Sequence, residues 1–134
     1  ITPSVAKLVS ACDAERLAVC RALGLEVPSL VKSLQKIYSL EQEDLYDLLQ
    51  HNKAYVGLKS PSSLNHRFFI EDTLCGIVPL ASIGRMMGVE TPIMDAYINI
   101  ASVVCGRDFR AEGRTAERLG LAGKTLEEIY EMIS

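Results

Sequence analysis

Residues 91–105 read TPIMDAYINIASVVC, from Thr91 to Cys105, and this stretch decides the fold. Thr91-Pro92 is a helix start, because a threonine hydroxyl can accept from a free backbone N–H and a proline at the first position has no N–H to satisfy. Beyond that start the helix is apolar on nearly every side, broken only by Asp95, Asn99 and Ser102 along one stripe. A helix of this kind has to be covered on most of its circumference, so it reads as the buried centre of the domain. Gly106 supplies the stop.

Upstream, Thr2-Pro3 repeats the same start, and the spacing of Val5, Leu8, Val9, Cys12, Val19, Cys20 and Leu23 predicts a helix to about Leu23, ended by Gly24. Its middle turn carries Asp13, Glu15 and Arg16, so one or more charges must sit beside the core face. Pro28-Ser29 opens a second helix with Leu30, Val31, Leu34 and Ile37 on one side. Ser39 and Gln42 have capping-box spacing and predict a third helix from Ser39, with Leu45, Leu48 and Leu49 inward. The acids Glu41, Glu43 and Asp44 then fall in a first turn, where the macrodipole favours anions, so they read as helix chemistry rather than as a metal site.

From Lys53 to Asn65 the periodicity dissolves into a long loop with Gly57 and Pro61. The segment His66-Arg67-Phe68-Phe69-Ile70-Glu71-Asp72 follows, leading through Gly76 to a helix from about Val78 to Met87. After Gly106, a short helix is expected around Glu117 to Leu119, and Thr125 with Glu128 forms a capping box for the last helix, to Ile133. No convincing strand appears. The expectation is an all-α single domain over residues 1–134, with about six to eight helices around the one near 92–105.

Composition narrows the function classes. The 134 residues are 49% hydrophobic and 23% charged, which suits one packed core. Fourteen Lys and Arg against 17 Asp and Glu give a net charge of −3 and a pI near 5.4, without the basic footprint of a phosphate-backbone binder, so no nucleic-acid partner is expected. The longest apolar run, Cys75 to Ile83, is about half the roughly 20 residues that span a bilayer, so no membrane span is expected either. Cys12, Cys20, Cys75 and Cys105 form no CxxC pair and share no ligand spacing with His51 or His66. They read as reduced core thiols, with no metal site and a cytoplasmic location. The chain opens on Ile1 rather than methionine, with a helix starting within a few residues, so it is expected to be part of something longer.

Two motifs invite chemistry. Gly123-Lys124-Thr125 looks like the end of a phosphate loop, but that loop needs a glycine five residues earlier and a preceding strand, and position 118 is Arg118. A glycine turn followed by an N-cap is the better reading. In the 66–72 segment, Arg67 and Glu71 have the i, i+4 spacing of a local salt bridge, whereas Asp72 lies elsewhere on the turn. A carboxylate so placed can orient an imidazole from another segment, and an arginine at the same cleft can clamp a phosphate or carboxylate.

The chain resembles the C-terminal helical domain of the octopine/nopaline, or opine, dehydrogenases. The resemblance rests on DAERLA at Asp13 to Ala18, ALGL at Ala22 to Leu25, NKAYVG at Asn52 to Gly57, HRFFIED at His66 to Asp72, GIVPLASIG at Gly76 to Gly84, VETP at Val89 to Pro92 and GRT at Gly113 to Thr115. The HR-aromatic segment with its ED pair, followed by GIVP, is the specific part. Leu74 departs from the family pattern, in which a proline commonly follows the ED pair by two.

The resemblance implies an NAD- or NADP-dependent oxidoreductase that joins an amino acid to a 2-oxo acid through an imine and reduces it, and also runs the reverse oxidation. It implies an N-terminal Rossmann domain, absent from this chain, that binds most of the cofactor, so this chain alone would be inactive. Asp72 would be the catalytic aspartate paired with a histidine well upstream of this segment, and Arg67 would reach the cofactor pyrophosphate. Asn52, Tyr55 and His66 would line the substrate side of the cleft, with Glu15 or Arg16 as further candidates; a homodimer is also compatible. Two alternatives stand beside this one: the helical domain of another two-domain dehydrogenase, such as a ketopantoate-reductase-like or hydroxyacid enzyme, and a free-standing helical binding or dimerisation module.

Overall fold

Eight α-helices form around two adjoining cores in the computed structural model, which describes residues 1–134. They are α1 (Pro3–Ala22), α2 (Leu30–Tyr38), α3 (Leu45–His51), α4 (Arg67–Asp72), α5 (Val78–Met86), α6 (Pro92–Cys105), α7 (Phe109–Glu112) and α8 (Leu126–Ile133). A 3-10 turn, Lys53–Tyr55, follows α3, and a π-helical turn, Thr73–Ile77, joins α4 to α5. There is no strand.

The long α1 is the spine. Its first half sends Ala6 and Val9 into a small core with Leu34 of α2 and Leu45 and Leu48 of α3. Further along, Cys12 packs on the larger core of Val78, Ala81, Met94, Ile98, Ala101 and Phe109. The charges beside the core face are used to hold other helices. The Asp13 carboxylate accepts from Leu30 N at 2.8 Å at the start of α2, and Arg16 pairs with Asp13 at 2.7 Å while donating to the Pro28 carbonyl. Glu15 accepts from Ile93 N at 2.7 Å and Met94 N at 2.9 Å. A helix start leaves its first N–H groups without partners and carries a partial positive charge, so these carboxylates cap two helices from 17 and 78 residues away.

That capping corrects the expected start of α6. Thr91 is buried but makes no side-chain capping bond, because Glu15 already occupies the donors; Thr2 does cap α1, accepting from Val5 N. Ser39 is a second correction. It ends α2 in the left-handed conformation, φ 53°, and so lacks the extended backbone of an N-cap; Asp44 caps α3 instead, accepting from Asp47 N. Residues 117–119 are turns rather than a helix: Leu119 N bonds the Thr115 carbonyl, and the chain then folds back, with Leu121 N and Ala122 N both on the Ala116 carbonyl. The Thr125–Glu128 capping box is present.

In α6 the centre of the larger core is one face only: Met94, Ile98 and Ala101 are buried, whereas Ile100, Val103 and Val104 are exposed, Val103 at 81%. The cysteines are all free, as expected, but Cys75 is exposed rather than in the core. Phe69, Ile70, Thr73, Leu74, Ile77 and Val78 recur at helical spacing on the packed side, and Cys75 falls off that stripe. No helix is long and apolar enough to cross a membrane.

Candidate functional site

The 66–72 segment becomes α4 because His66 starts it and two aromatic or aliphatic side chains anchor it. The His66 Nδ1 accepts from Phe68 N at 3.2 Å, and Phe69 and Ile70 pack onto the larger core. The Phe69 ring lies 6.0 Å from that of Tyr97 on α6 and 6.5 Å from that of Phe109 on α7. The backbone between them is therefore fixed, while the outward side chains stay free. Arg67 and Glu71 form the local salt bridge, 3.2 Å, with the Arg67 side chain 74% exposed. Asp72 is exposed and has neither an ion pair nor a hydrogen bond within the chain. Arg67 and Asp72 are five residues apart, about 140° around the helix, so they address different directions.

Immediately after Asp72 the helix widens into the π turn, a geometry found often at functional sites. It is tied at its first two residues. The fully buried Thr73 donates to the Phe69 carbonyl at 2.7 Å and lies 3.2 Å from the Tyr97 hydroxyl. The Leu74 carbonyl accepts from Arg114 N at 3.0 Å. That second tie depends on Gly113, where an added Cβ would stand 2.5 Å from Val78 Cγ1 and 2.8 Å from the Phe109 carbonyl. Ser82 continues the seam by accepting from Ala116 N at 2.9 Å. The GRT segment is thus a clamp on the turn that follows Asp72.

Asn52 and Tyr55 are placed elsewhere. Asn52 is buried between α3 and the 3-10 turn, its Oδ1 accepting from Ala54 N at 3.0 Å, while its amide nitrogen has no partner. Tyr55 meets Tyr38 edge-on at 5.7 Å, and burial first, with the Tyr38 phenol second, pushes its hydroxyl above the ordinary phenol pKa. No hydrogen bond, ion pair or ring contact joins either residue to Arg67, His66 or Asp72. Glu15 and Arg16 are committed to the capping described above. His51 uses its Nδ1 on the Asp47 carbonyl, so neither of the chain's histidines is bonded to Asp72.

The polar stripe of α6 holds the α7 segment. Asp95 pairs with Arg110 at 2.8 Å and Arg85 at 3.5 Å, Asn99 accepts from Arg110, and Ser102 accepts from Phe109 N. Beside it lies a cleft of about 260 Å³ bounded by Ser82, Arg85, Arg110, Thr115 and Glu117. The Thr115 hydroxyl holds the Glu117 carboxyl below its usual range, and the two arginines of the cleft are both paired with Asp95 beside it. Sequence reasoning missed Thr73 and Tyr97. The available signal was Thr73 recurring with Phe69, Ile70 and Ile77 on the core side, the one polar residue in that stripe.

The domain is all-helical and exposes on one anchored helix a carboxylate without a partner, that of Asp72, and a guanidinium bridged to Glu71, that of Arg67. Residues 1–105 match the family described as NAD/NADP octopine/nopaline dehydrogenase, alpha-helical domain, and the chain belongs to that family. It is 44% identical over 133 residues to an opine dehydrogenase of Arthrobacter sp. (strain 1C), a match covering 99% of this chain and 37% of that protein. It is 28% identical over 132 residues to Protein ocs of Agrobacterium tumefaciens (strain Ach5), again covering 37% of the relative. With a D-nopaline dehydrogenase of Agrobacterium tumefaciens (strain T37) it shares 29% over 109 residues, 81% of this chain and 26% of the relative. The chain thus spans between about a quarter and little more than a third of the length of these relatives. The family match decides against a ketopantoate-reductase-like domain.

Proposed function

We propose that this chain is the substrate-side helical domain of an NAD(P)-dependent opine dehydrogenase, which condenses an amino acid with a 2-oxo acid and reduces the imine, and runs the reverse oxidation. In this reading residues 1–134 form one domain, its first partner is an N-terminal Rossmann domain of the same polypeptide, and the enzyme is cytoplasmic. The exposed Ile100, Val103 and Val104 leave an apolar surface for a second copy.

The observation that carries the reading is Asp72: a carboxylate without any partner in its own chain, on a backbone anchored by Phe69, Ile70 and Thr73. Its task is to hold the N–H of a histidine supplied from outside this chain, to set that ring's tautomer and to stabilise the imidazolium. That histidine then takes or returns the proton that accompanies reduction. The residues present fit one part of a nicotinamide dinucleotide. Arg67 is open to solvent on the side away from Glu71, and a guanidinium binds phosphate oxygens in a bidentate manner. With no strand, the chain has no strand–glycine turn–helix cradle for the rest of the dinucleotide. When bound, the cofactor supplies the hydride. His66 at the start of α4, and Asn52 and Tyr55 after α3, are the residues we assign to the substrate side.

The test is substrate dependence in the full-length polypeptide. NADH or NADPH oxidation is expected only when an amino acid and a 2-oxo acid are present together. Equal turnover with a 2-oxo acid alone would contradict the reading.

A further inference from the structure

The one fully buried polar side chain next to Asp72 has a directional hydrogen-bond chain that the packing alone does not require. A carbonyl can only accept, so the single Thr73 hydroxyl hydrogen goes to the Phe69 carbonyl at 2.7 Å. The remaining contact, 3.2 Å to the Tyr97 hydroxyl, then has Tyr97 donating to Thr73 Oγ1. The order runs from Tyr97 on α6, through Thr73, to the backbone of α4 one turn before Thr73. Tyr97 also presents its ring to Phe69, so a single α6 side chain holds both residues that bracket Asp72 on the core side. The next residue, Leu74, is tied through its carbonyl to Arg114 N. The Asp72 side chain makes no hydrogen bond or ion pair within the chain, so the placement of its Cα–Cβ bond is set by this backbone.

From this arrangement we propose that Thr73 and Tyr97 are positioning residues for the reaction, fixing the π turn so that the Asp72 carboxylate meets its imidazole partner in one orientation. The inference rests on the role proposed for Asp72. The Thr73 hydroxyl acts on the backbone rather than on substrate, and the Tyr97 hydroxyl acts through Thr73. Loss of either hydroxyl leaves the side-chain volume almost unchanged but lets the wide turn relax towards ordinary α-helical bonding, which rotates Asp72.

The experiment compares Thr73→Val, Thr73→Ser, Tyr97→Phe and Asp72→Asn in the full-length enzyme. Thr73→Val and Tyr97→Phe are expected to lower kcat about tenfold, with KM for both substrates held within about twofold, because a misplaced catalytic group costs rate rather than ground-state binding. The limb of the pH–rate profile that reports the imidazole should move to lower pH, since a nearby carboxylate raises that pKa and a displaced one raises it less. Thr73→Ser keeps the hydroxyl and should restore kcat and the pH profile to those of the parent. Hydrogen exchange across residues 69–78 should speed up in Tyr97→Phe and not in Thr73→Ser. If Thr73→Val fails to fold, Tyr97→Phe and Thr73→Ser carry the test. Parental kcat and pH profile in Tyr97→Phe, alongside an inactive Asp72→Asn, would overturn the positioning role alone; a fully active Asp72→Asn would overturn it together with the role of Asp72.

Discussion

Two regions of this domain are equally rich in carboxylates and use them in opposite ways. On α1, Asp13 and Glu15 are bonded to the backbone starts of α2 and α6. On α4, Glu71 is shared with an exposed arginine and Asp72 has no partner at all. The difference teaches how to read charge near a core: a carboxylate that satisfies orphaned helix donors is part of the fold, while one left free on a backbone anchored at both ends is available to another molecule or domain. Glu15 and Asp72 are then predicted to fail differently when removed, one in stability and the other in chemistry.

The largest stability effect should come from Glu15. Glu15→Ala strips two charge-assisted bonds from the start of α6 and is expected to cost about 3 kcal/mol in urea unfolding; an effect below about 1 kcal/mol would mean that solvent replaces the cap. Gly113→Ala comes next, at about 2 kcal/mol, because a methyl group there meets Val78 and the Phe109 carbonyl; a neutral result would show that α7 yields freely. Arg67→Ala breaks only an exposed i, i+4 pair, so stability should stay within about 0.5 kcal/mol while the KM for the nicotinamide cofactor rises roughly tenfold. An unchanged KM would remove Arg67 from cofactor binding. The smallest perturbation sharpens the same contrast by labelling. Cys75 on the π turn is exposed, whereas burial, with help from Glu15 and Asp13, pushes the Cys12 thiol up. Iodoacetamide should modify Cys75 at least about ten times faster than Cys12, and equal rates would mean that the face of α1 opens.

Much of the architecture was legible in the residues themselves. The all-α class, the stop at Gly24, the opening of α2 near Ser29 and the last capping box all follow from local spacing, which is where helix boundaries are written. The misreadings share one cause. Thr91 and Ser39 have the right side chains for N-caps, yet Glu15, 76 residues before Thr91, and the αL backbone of Ser39 decide otherwise. Asp13 and Glu15 could be seen as charges forced against the core, but their partners lie on other helices. An α6 apolar on all but one stripe could not say which of its other faces the domain covers, and the structure leaves Val103 in the open. Cys75 was legible, since the 69, 70, 73, 74, 77 stripe excludes it; apolar neighbours in sequence were the wrong criterion.

The site was legible in part. Spacing identified the Arg67–Glu71 bridge and the separateness of Asp72, and the family resemblance named the fold and the domain. Geometry adds what neither contains: Asn52 bonds within the 3-10 turn and Tyr55 meets Tyr38, and the turn after Asp72 is braced by Tyr97 and by Arg114, residues 25 and 42 positions further along the chain. Such contacts are set by how α6 and the GRT segment dock, which no local pattern records.

The most direct measurement is kcat for Asp72→Asn in the full-length enzyme, taken with its unfolding midpoint. The expected result is a fall of about 10³ to 10⁴ in kcat at an unchanged midpoint, since an amide can keep the geometry but cannot stabilise the imidazolium or enforce its tautomer. Turnover within a few-fold of the parent, or a loss of activity that merely follows a lowered midpoint, would contradict the assignment of this free carboxylate to the chemistry.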